Sequence, residues 1–532
     1  MYKNMRGVIA AGGPETAAAA TEILNKGGNA VDAAVAAAFA SFIGEIGVVH
    51  LGGSGMAQIY VPKTETAVVY DFFSNTPGLG GSQPAAGALD FDEVMIDFGA
   101  TTQYFHLGRA SVAVPGNIFG LCQMAADHGN LSLPELLEPA MRLARDGVIL
   151  EPFQADTCAL LTPLYTNTAS MRAIFTPNGR MIQAGERLMI PDLLETLQDL
   201  AGNGAQILRN GRLAQALITD QKANHGLLTA QDLQQYQVYT RAPIRLPYHG
   251  YEILLPPPSS TGGVLTAFTM KLMARFYAQR RSYGKIDHLR LLYEIMAATT
   301  RARPFWDDAD SDETAVNQFL NAKVIDRFEA EIRAALAQDR FLPGIPEPPG
   351  PSSTSHLSVI DENGMTVSLT TTAGESAGFV VPGTGFIPNN IMGEEDLHPN
   401  GFHSQPAGER IATMMTPTIV LQNNQPRLAI GSGGSARIRS AIMQVLSNLL
   451  DFRQPLIEAV NNSRVHIEDG VLQCEAGYDE TAVAALAALG YPVNRWSTRS
   501  IYFGGAHSVS RTKNGRLVAA GDDRRGGATA SN

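Results

Sequence analysis

The sequence is poor in cysteine, in charged residues and in long apolar segments. Its three cysteines, Cys122, Cys158 and Cys474, are widely spaced and odd in number, which excludes a disulfide framework and a zinc-binding motif. Only 17% of the residues are charged, the net charge is -11, and no basic stripe is present to neutralise phosphates. These features disfavour nucleic acid and anionic membranes as partners and favour a small molecule or a peptide.

No stretch of the sequence is apolar over the length of a membrane span. The most apolar run covers residues 33–44, whereas a transmembrane helix needs about 20 residues, so we expect this run to be a buried helix. Near the N-terminus, Gly, Pro and Glu occupy positions where a signal peptide needs an unbroken apolar stretch. The sequence therefore predicts a cytoplasmic protein.

The chain divides at a proline-rich segment. Residues 339–353 hold five prolines, which excludes a helix or a central strand and predicts a linker. The part before residue 340 is predicted to be rich in helix, with helices over residues 15–26, 117–127 and 136–145 and with strands within 50–62 and 66–73. A mainly helical region is predicted over residues 192–337, broken by the Pro-rich residues 252–260.

The part after the linker is predicted to consist mainly of strands. Residues 354–361 and 365–372 flank the turn signal Glu362-Asn363-Gly364, which indicates a hairpin. A second hairpin is expected over residues 417–432, followed by a Gly/Ser turn, a helix and further strands.

Two residues are candidate nucleophiles, and the first is Ser376. It lies in the string Gly-Glu-Ser-Ala-Gly over residues 374–378, the pattern of the nucleophile elbow of α/β-hydrolases. That mechanism requires a helix directly after the serine, yet residues 379–390 contain two prolines and two glycines. We therefore expect an ordinary glycine-rich loop.

The second candidate is Thr354, at the end of the linker. A threonine hydroxyl needs an adjacent base, and a cut between Ser353 and Thr354 would supply one in the α-amine of Thr354 itself. Such an amine titrates near about 7.7–8.0, so a useful fraction is unprotonated at neutral pH. On local composition alone, Thr354 could equally be the first residue of an exposed strand.

Six segments, taken together and in order, resemble the γ-glutamyltransferase family across essentially the whole chain. They cover residues 27–40, 51–60, 139–148, 354–372, 388–392 and 416–421. The resemblance implies an α+β protein, an N-terminal-nucleophile hydrolase with a four-layer αββα fold. It implies an inactive precursor that cuts itself before the nucleophile, and it implies no metal and no cofactor.

The resemblance also assigns roles at the reaction centre. The family's T-T-H signature corresponds to Thr354-Ser355-His356, which makes Thr354 the nucleophile. Thr372 matches the threonine whose hydroxyl lies against the nucleophile. Gly434 and Ser435 match the two residues whose backbone N–H groups stabilise the oxyanion, although this turn could also be no more than the entry to a helix.

The positions that resemble the substrate-binding residues depart from the family's pattern. The arginine that binds the substrate α-carboxylate falls at Phe73, and the two serines that assist it fall at Thr413 and Met414. The family's Gln and Asp after its Asn-Asn pair fall at Ile391 and Glu394. A further Asn falls near Gly374.

Loss of a bidentate arginine beside a bound carboxylate costs about 2–5 kcal/mol, enough to change the substrate. We therefore expect an acyl group with a smaller or more apolar tail than free γ-glutamyl. The alternative is that Phe73 is a core residue and that another arginine, such as Arg109 or Arg437, replaces the lost one.

The sequence thus predicts a self-cleaving amidohydrolase or acyltransferase with a large subunit of residues 1–353 and a small subunit of residues 354–532. Its expected partners are an amide substrate, the two subunits of one precursor and further copies of itself. Two alternatives stay open: a glutathione-type γ-glutamyl hydrolase or transpeptidase, and a binding homologue that never cleaves itself.

Overall fold

The computed structural model describes residues 6–81, 88–97, 102–277, 280–308, 312–338, 340–346 and 353–531. Its strands are β1 (Gly7–Ala11), β2 (Ser54–Val61), β3 (Thr66–Phe72), β4 (Asp92–Asp97), β5 (Thr102–Leu107), β6 (Val148–Ile149), β7 (Arg187–Leu188), β8 (Tyr239–Arg241), β9 (Ile244–Tyr248), β10 (Tyr251–Leu255), β11 (Thr354–Asp361), β12 (Thr366–Thr372), β13 (Thr418–Gln422), β14 (Gln425–Ile430), β15 (Val465–Glu468), β16 (Val471–Cys474), β17 (Val493–Arg495), β18 (Ser508–Arg511), β19 (Leu517–Ala520) and β20 (Ala528–Ser531). Its α-helices are α1 (Pro14–Asn25), α2 (Ala30–Gly44), α3 (Asn117–His128), α4 (Leu133–Asp146), α5 (Pro152–Leu160), α6 (Thr162–Tyr165), α7 (Ala169–Phe175), α8 (Leu193–Asn203), α9 (Gln206–Arg209), α10 (Arg212–Ala223), α11 (Ala230–Gln235), α12 (Thr261–Phe276), α13 (Ile286–Ala302), α14 (Glu313–Phe319), α15 (Ala322–Ala337), α16 (Arg437–Leu450), α17 (Leu456–Asn461) and α18 (Glu480–Ala488).

A seven-stranded antiparallel sheet holds the predicted cleavage point. Its strand order is β20-β1-β11-β12-β2-β3-β8. Strands from before and after residue 353 are interleaved in this sheet, because β11 and β12 lie between β1 and β2, and β20 pairs with the other edge of β1. The two predicted subunits are therefore not two separate domains.

A six-stranded antiparallel sheet packs against the first, in the order β19-β18-β14-β13-β10-β9. Strand β9 lies in the region predicted to be mainly helical, so that prediction is wrong there, whereas β10 overlaps the Pro-rich residues 252–260 that are predicted to break this region. Residues 253–255 are fully buried because β10 pairs with β9 on one side and with β13 on the other. A short apolar run between turns forms this buried strand.

The two sheets form the inner layers of a four-layer structure. Along β1, Val8 and Ala10 pack towards the six-stranded sheet, whereas Ile9 packs with α1 and α2 on the outer face. This alternation is the two-residue period of a strand with both faces covered. Helices α12, α13 and α16 cover the outer face of the six-stranded sheet. The predicted αββα architecture is confirmed.

Helix α2 is the buried helix that the apolar run predicted. Every residue from Ala30 to Gly44 is buried. The helix begins with a capping box, in which the Asn29 side chain accepts from the N–H of Asp32 and the Asp32 side chain accepts from that of Asn29. Its many alanines allow close packing between α1, α4 and the sheet.

The hairpin of β11 and β12 is confirmed, with β12 beginning one residue later than predicted, and one carboxylate holds its turn. Oδ1 of Asp361 accepts hydrogen bonds from the N–H groups of Asn363 at 2.9 Å and Met365 at 3.0 Å. Oδ2 accepts from the N–H of Ala30 at 3.0 Å. Asp361 thus joins the hairpin turn to the start of α2.

Part of the predicted linker lies within the described residues. Residues 340–346 and 353 are in neither helix nor strand, and residues 339 and 347–352 lie outside the described ranges. In the part of the chain that the structure describes, the helices are too short or too polar to cross a lipid bilayer.

Replacing Asp361 tests the importance of this turn. Asp361→Ala is expected to lower the free energy of unfolding by about 2–4 kcal/mol, because three N–H groups lose their acceptor. Asp361→Asn keeps one acceptor oxygen and should cost less. Urea denaturation measures both, with the exposed neighbour Glu362→Ala as a control expected within about 0.5 kcal/mol of wild type. Equal effects for Asp361→Ala and the control would contradict this role.

Candidate active site

The hairpin register brings Thr372 to the peptide bond between Ser353 and Thr354. Thr354 is the first residue of β11 and pairs with Thr372, the last residue of β12. The Thr372 hydroxyl donates a hydrogen bond to the carbonyl oxygen of Ser353 at 2.8 Å and accepts one from the N–H of Gly374 at 3.0 Å. The hydroxyl is thereby fixed against the carbonyl that self-cleavage would attack.

Thr354 itself is buried. Ser353 is 6% exposed and Thr354 is 3% exposed, so Thr354 does not begin an exposed strand. Nη1 of Arg525, a buried residue near the C-terminus, donates to the carbonyl oxygen of Thr354 at 3.2 Å. Both carbonyl groups of the dipeptide are thus hydrogen-bonded.

The turn formed by Gly433, Gly434 and Ser435 lies directly against Thr354. A Cβ atom at Gly433 would overlap the carbonyl oxygen of Thr354, so only glycine allows this approach. Ser435 has a φ of 46°, a conformation that favours glycine and strains other residues. Its hydroxyl donates to the carboxylate of Asp396, which holds the turn in place. The turn that contains Gly434 and Ser435 therefore lies beside Thr354, and the role of these two residues as oxyanion donors stays a prediction.

A buried carboxyl group, that of Glu375, contacts the same dipeptide. Its Oε1 accepts a hydrogen bond from the N–H of Ser353 at 2.9 Å. Burial raises the pKa of Glu375 to about 7, although the contacts with Ser353 and the charges of Arg525 and Arg437 act in the opposite direction. The sequence alone did not indicate a role for Glu375, although this residue directly precedes Ser376 in the Gly-Glu-Ser-Ala-Gly string.

Glu394 and Asp396 add two more carboxyl groups near the turn. Burial raises the pKa of Asp396 to about 6, and burial with the charges of Asp396 and Glu375 raises the pKa of Glu394 well above its usual range. A Cβ at Gly374, whose φ is 64°, would overlap Oε1 of Glu394 and Oδ1 of Asn390. The Glu394 side chain therefore occupies the space that a residue larger than Gly374 would need.

Phe73 and Ile391 lie in the core. Phe73 is 1% exposed, Ile391 is fully buried, and they belong to one closed apolar cluster that also contains Met56, Val69, Ala113, Met392, Ile411 and Met415. The carbonyl oxygen of Phe73 accepts from the hydroxyl of Tyr236 at 2.7 Å. The structure favours the alternative in which Phe73 is a core residue, and contact of these two side chains with a substrate stays a prediction.

Thr413 and Met414 line a cavity of about 630 Å³ that reaches Asp396. Three arginines, Arg241, Arg303 and Arg410, also line it. Arg303 is paired with Asp308, and Arg410 donates to backbone carbonyl groups. Nε of Arg241 donates a hydrogen bond to Oδ2 of Asp71 at 3.2 Å.

The two arginines proposed as replacements lie elsewhere. Arg109 is paired with Asp90 and Asp220, and Arg437 donates to the carbonyl oxygen of Tyr502. Neither lines the cavity. The arginines that do line it belong to no motif, so no sequence signal pointed to them.

Ser376 is not arranged as a nucleophile elbow. It is fully buried, and its hydroxyl accepts from the N–H of Gly378 at 3.1 Å. Residues 377–390, all within the described part of the chain, contain no helix. The loop predicted from the sequence is confirmed.

Comparison with known proteins identifies the family. A family model described as gamma-glutamyltranspeptidase matches residues 16–531. The acylase ACY 1 proenzyme of Pseudomonas sp. (strain V22) is 33% identical over 520 residues, covering 97% of this chain and 91% of that protein. The glutathione hydrolase proenzyme of Escherichia coli (strain K12) is 27% identical over 538 residues, covering 98% and 90%.

A solved structure shows the same fold. Cephalosporin acylase from Bacillus halodurans superposes with a TM-score of 0.85 at 24% identity, covering 100% of this chain and 97% of the other. The sequence match and the fold agree over the whole length. The chain therefore belongs to the gamma-glutamyltranspeptidase family and is an enzyme of the N-terminal-nucleophile hydrolase class.

Proposed function

We propose that this enzyme cuts its own chain between Ser353 and Thr354 and then uses Thr354 to hydrolyse an amide or to transfer its acyl group. One observation carries the proposal: the Thr372 hydroxyl donates to the Ser353 carbonyl oxygen at 2.8 Å, at the first residue of β11. That contact polarises the one carbonyl group whose attack would make Thr354 N-terminal.

Self-cleavage follows from this arrangement as an acyl shift. Oγ1 of Thr354 bonds to the carbonyl carbon of Ser353, the bond from that carbon to the Thr354 nitrogen breaks, and the hydroxyl proton passes to the nitrogen. Water then hydrolyses the ester, which leaves a carboxylate on Ser353 and restores the Thr354 hydroxyl. The α-amine set free beside that hydroxyl is the base that a threonine nucleophile needs.

Turnover of an external amide repeats the attack. Thr354 adds to the substrate carbonyl carbon, and the N–H groups of Gly434 and Ser435 stabilise the oxyanion. The amine leaving group departs with a proton, and water or a second amine then takes the acyl group from Thr354.

We further propose that the acyl group is not free γ-glutamyl. Phe73 and Ile391 form part of a closed apolar cluster instead of a carboxylate site, and a relative named as an acylase is 33% identical to this chain. A second candidate, the γ-glutamyl specificity, is supported by Arg241, which lines the cavity together with Thr413. A carboxylate placed there would meet a guanidinium group.

The first prediction of this proposal is self-cleavage. The wild-type chain should give two bands on a denaturing gel, and mass spectrometry should find a fragment that begins Thr-Ser-His. Thr354→Ala should stay intact, and Thr372→Ala should cleave about 100-fold more slowly, because the carbonyl loses its hydrogen-bond donor. A wild-type chain that remains intact through long incubation would support the non-catalytic alternative.

A second prediction concerns Ser376. Ser376→Ala should leave self-cleavage and amide hydrolysis within about twofold of wild type, because the buried hydroxyl serves only its own loop. Both rates are measured on the same preparation. A loss of several orders of magnitude with self-cleavage intact would revive the serine hydrolase hypothesis.

A third prediction separates the two acyl specificities. The wild-type enzyme should release a simple acyl anilide with a higher kcat/KM than a γ-glutamyl anilide. If γ-glutamyl is preferred instead, Arg241→Gln should lower kcat/KM for that substrate by about 30-fold or more and leave the simple acyl anilide nearly unchanged. A γ-glutamyl preference that survives Arg241→Gln would show that another group binds the carboxylate.

A further inference from the structure

The backbone of Glu375 is held by hydrogen bonds at both its N–H and its carbonyl oxygen. Its N–H donates to Oδ1 of Asn390 at 2.7 Å, and its carbonyl oxygen accepts from Nε2 of His50 at 3.2 Å. The residue is 1% exposed. With its backbone held in this way, its carboxyl group meets the N–H of Ser353 at 2.9 Å.

Three polar backbone atoms of Ser353 and Thr354 are held by hydrogen bonds with side chains. Glu375 accepts from the N–H of Ser353, Thr372 donates to the carbonyl oxygen of Ser353, and Arg525 donates to that of Thr354. The first contact is the one made by a carboxylate. A hydrogen bond to an ionised acceptor is about twice as strong as one between neutral groups.

Charged and titratable groups surround this carboxyl group. Arg437 and Arg525 favour its ionised form, Glu394 lies close enough to interact with it, and Tyr165 and His50 pack nearby. Burial outweighs the two arginines, so the pKa of Glu375 is about 7. Its charge therefore changes across neutral pH.

We infer that Glu375 is a positioning residue for self-cleavage, which holds the scissile carbonyl against Thr372 by accepting the N–H of Ser353. The inference rests on the proposed function, because it takes Ser353–Thr354 as the bond that is cut. The contact is made by Ser353, the residue on the N-terminal side of the bond that is cut. Glu375 would thus act on maturation through the last residue of the predicted large subunit.

The test measures the self-cleavage rate of the full chain. The precursor is made by cell-free translation and is then transferred to buffers with pH values between about 5.5 and 9. Because the carboxylate is the ionised form above about pH 7, the wild-type rate should rise through that pH by about tenfold. Glu375→Gln keeps an acceptor oxygen but no titrating group. It should cleave at least about tenfold more slowly at pH 8 and show no inflection near pH 7.

Two further variants control the experiment. Glu375→Asp keeps the charge on a shorter side chain, and it should retain the inflection at a reduced rate. Glu294→Gln is a matched control, because Glu294 is also fully buried with a pKa raised to about 7 but binds Tyr491 in the core outside the six-stranded sheet. It should cleave like wild type. Circular dichroism establishes that each variant is folded.

The outcomes distinguish this inference from the proposed function. If the wild-type chain never cleaves itself, both the proposed function and the role of Glu375 are wrong. A wild-type chain that cleaves while Glu375→Gln keeps the wild-type rate and inflection overturns the role of Glu375 alone. The same conclusion follows if Glu294→Gln is slowed as much, or if Glu375→Gln fails to fold and Glu375→Asp loses the inflection.

Discussion

The hydrogen bond from the Thr372 hydroxyl to the Ser353 carbonyl is the contact on which the candidate site depends. It exists because β11 and β12 pair in a register that places Thr354 opposite Thr372. A slip of one residue would turn Thr372 to the other face of the sheet. The turn that Asp361 holds, at the far end of the same hairpin, excludes that slip, so a carboxylate joined to α2 sets the geometry of the cleavage point.

Local patterns predicted the parts of the fold that local interactions determine. The hairpin of β11 and β12 follows from a turn signal between two alternating segments, and α2 follows from an apolar run with a capping residue. Strands β9 and β10 were missed because β10 pairs with β13, more than 160 residues away, and β9 pairs with β10. Strand β20 has only two apolar residues, Ala528 and Ala530, and its partner β1 lies at the opposite end of the chain. Glu375 was missed for the same reason, since only the folded chain aligns its carboxyl group with Ser353.

The family resemblance predicts substrate-binding positions, but it cannot show whether the side chains at those positions are accessible. Phe73 and Ile391 belong to the same apolar cluster, and burying one guanidinium there without a partner would be costly. A single substitution of Phe73 is therefore not expected to restore a carboxylate site. Charge near the cavity comes instead from strand β8, through Arg241, and from the segment before β13, through Arg410.

The alternation of strands in the seven-stranded sheet determines what a cut at Ser353 can release. Strands β11 and β12 are enclosed by β1 and β2, and β20 closes over β1, so the two fragments would share one hydrogen-bonded sheet and one core. Separating them would require breaking the pairing that defines the fold. Cleavage would therefore add two chain ends and create an amine while leaving the free energy that holds the molecule together almost unchanged.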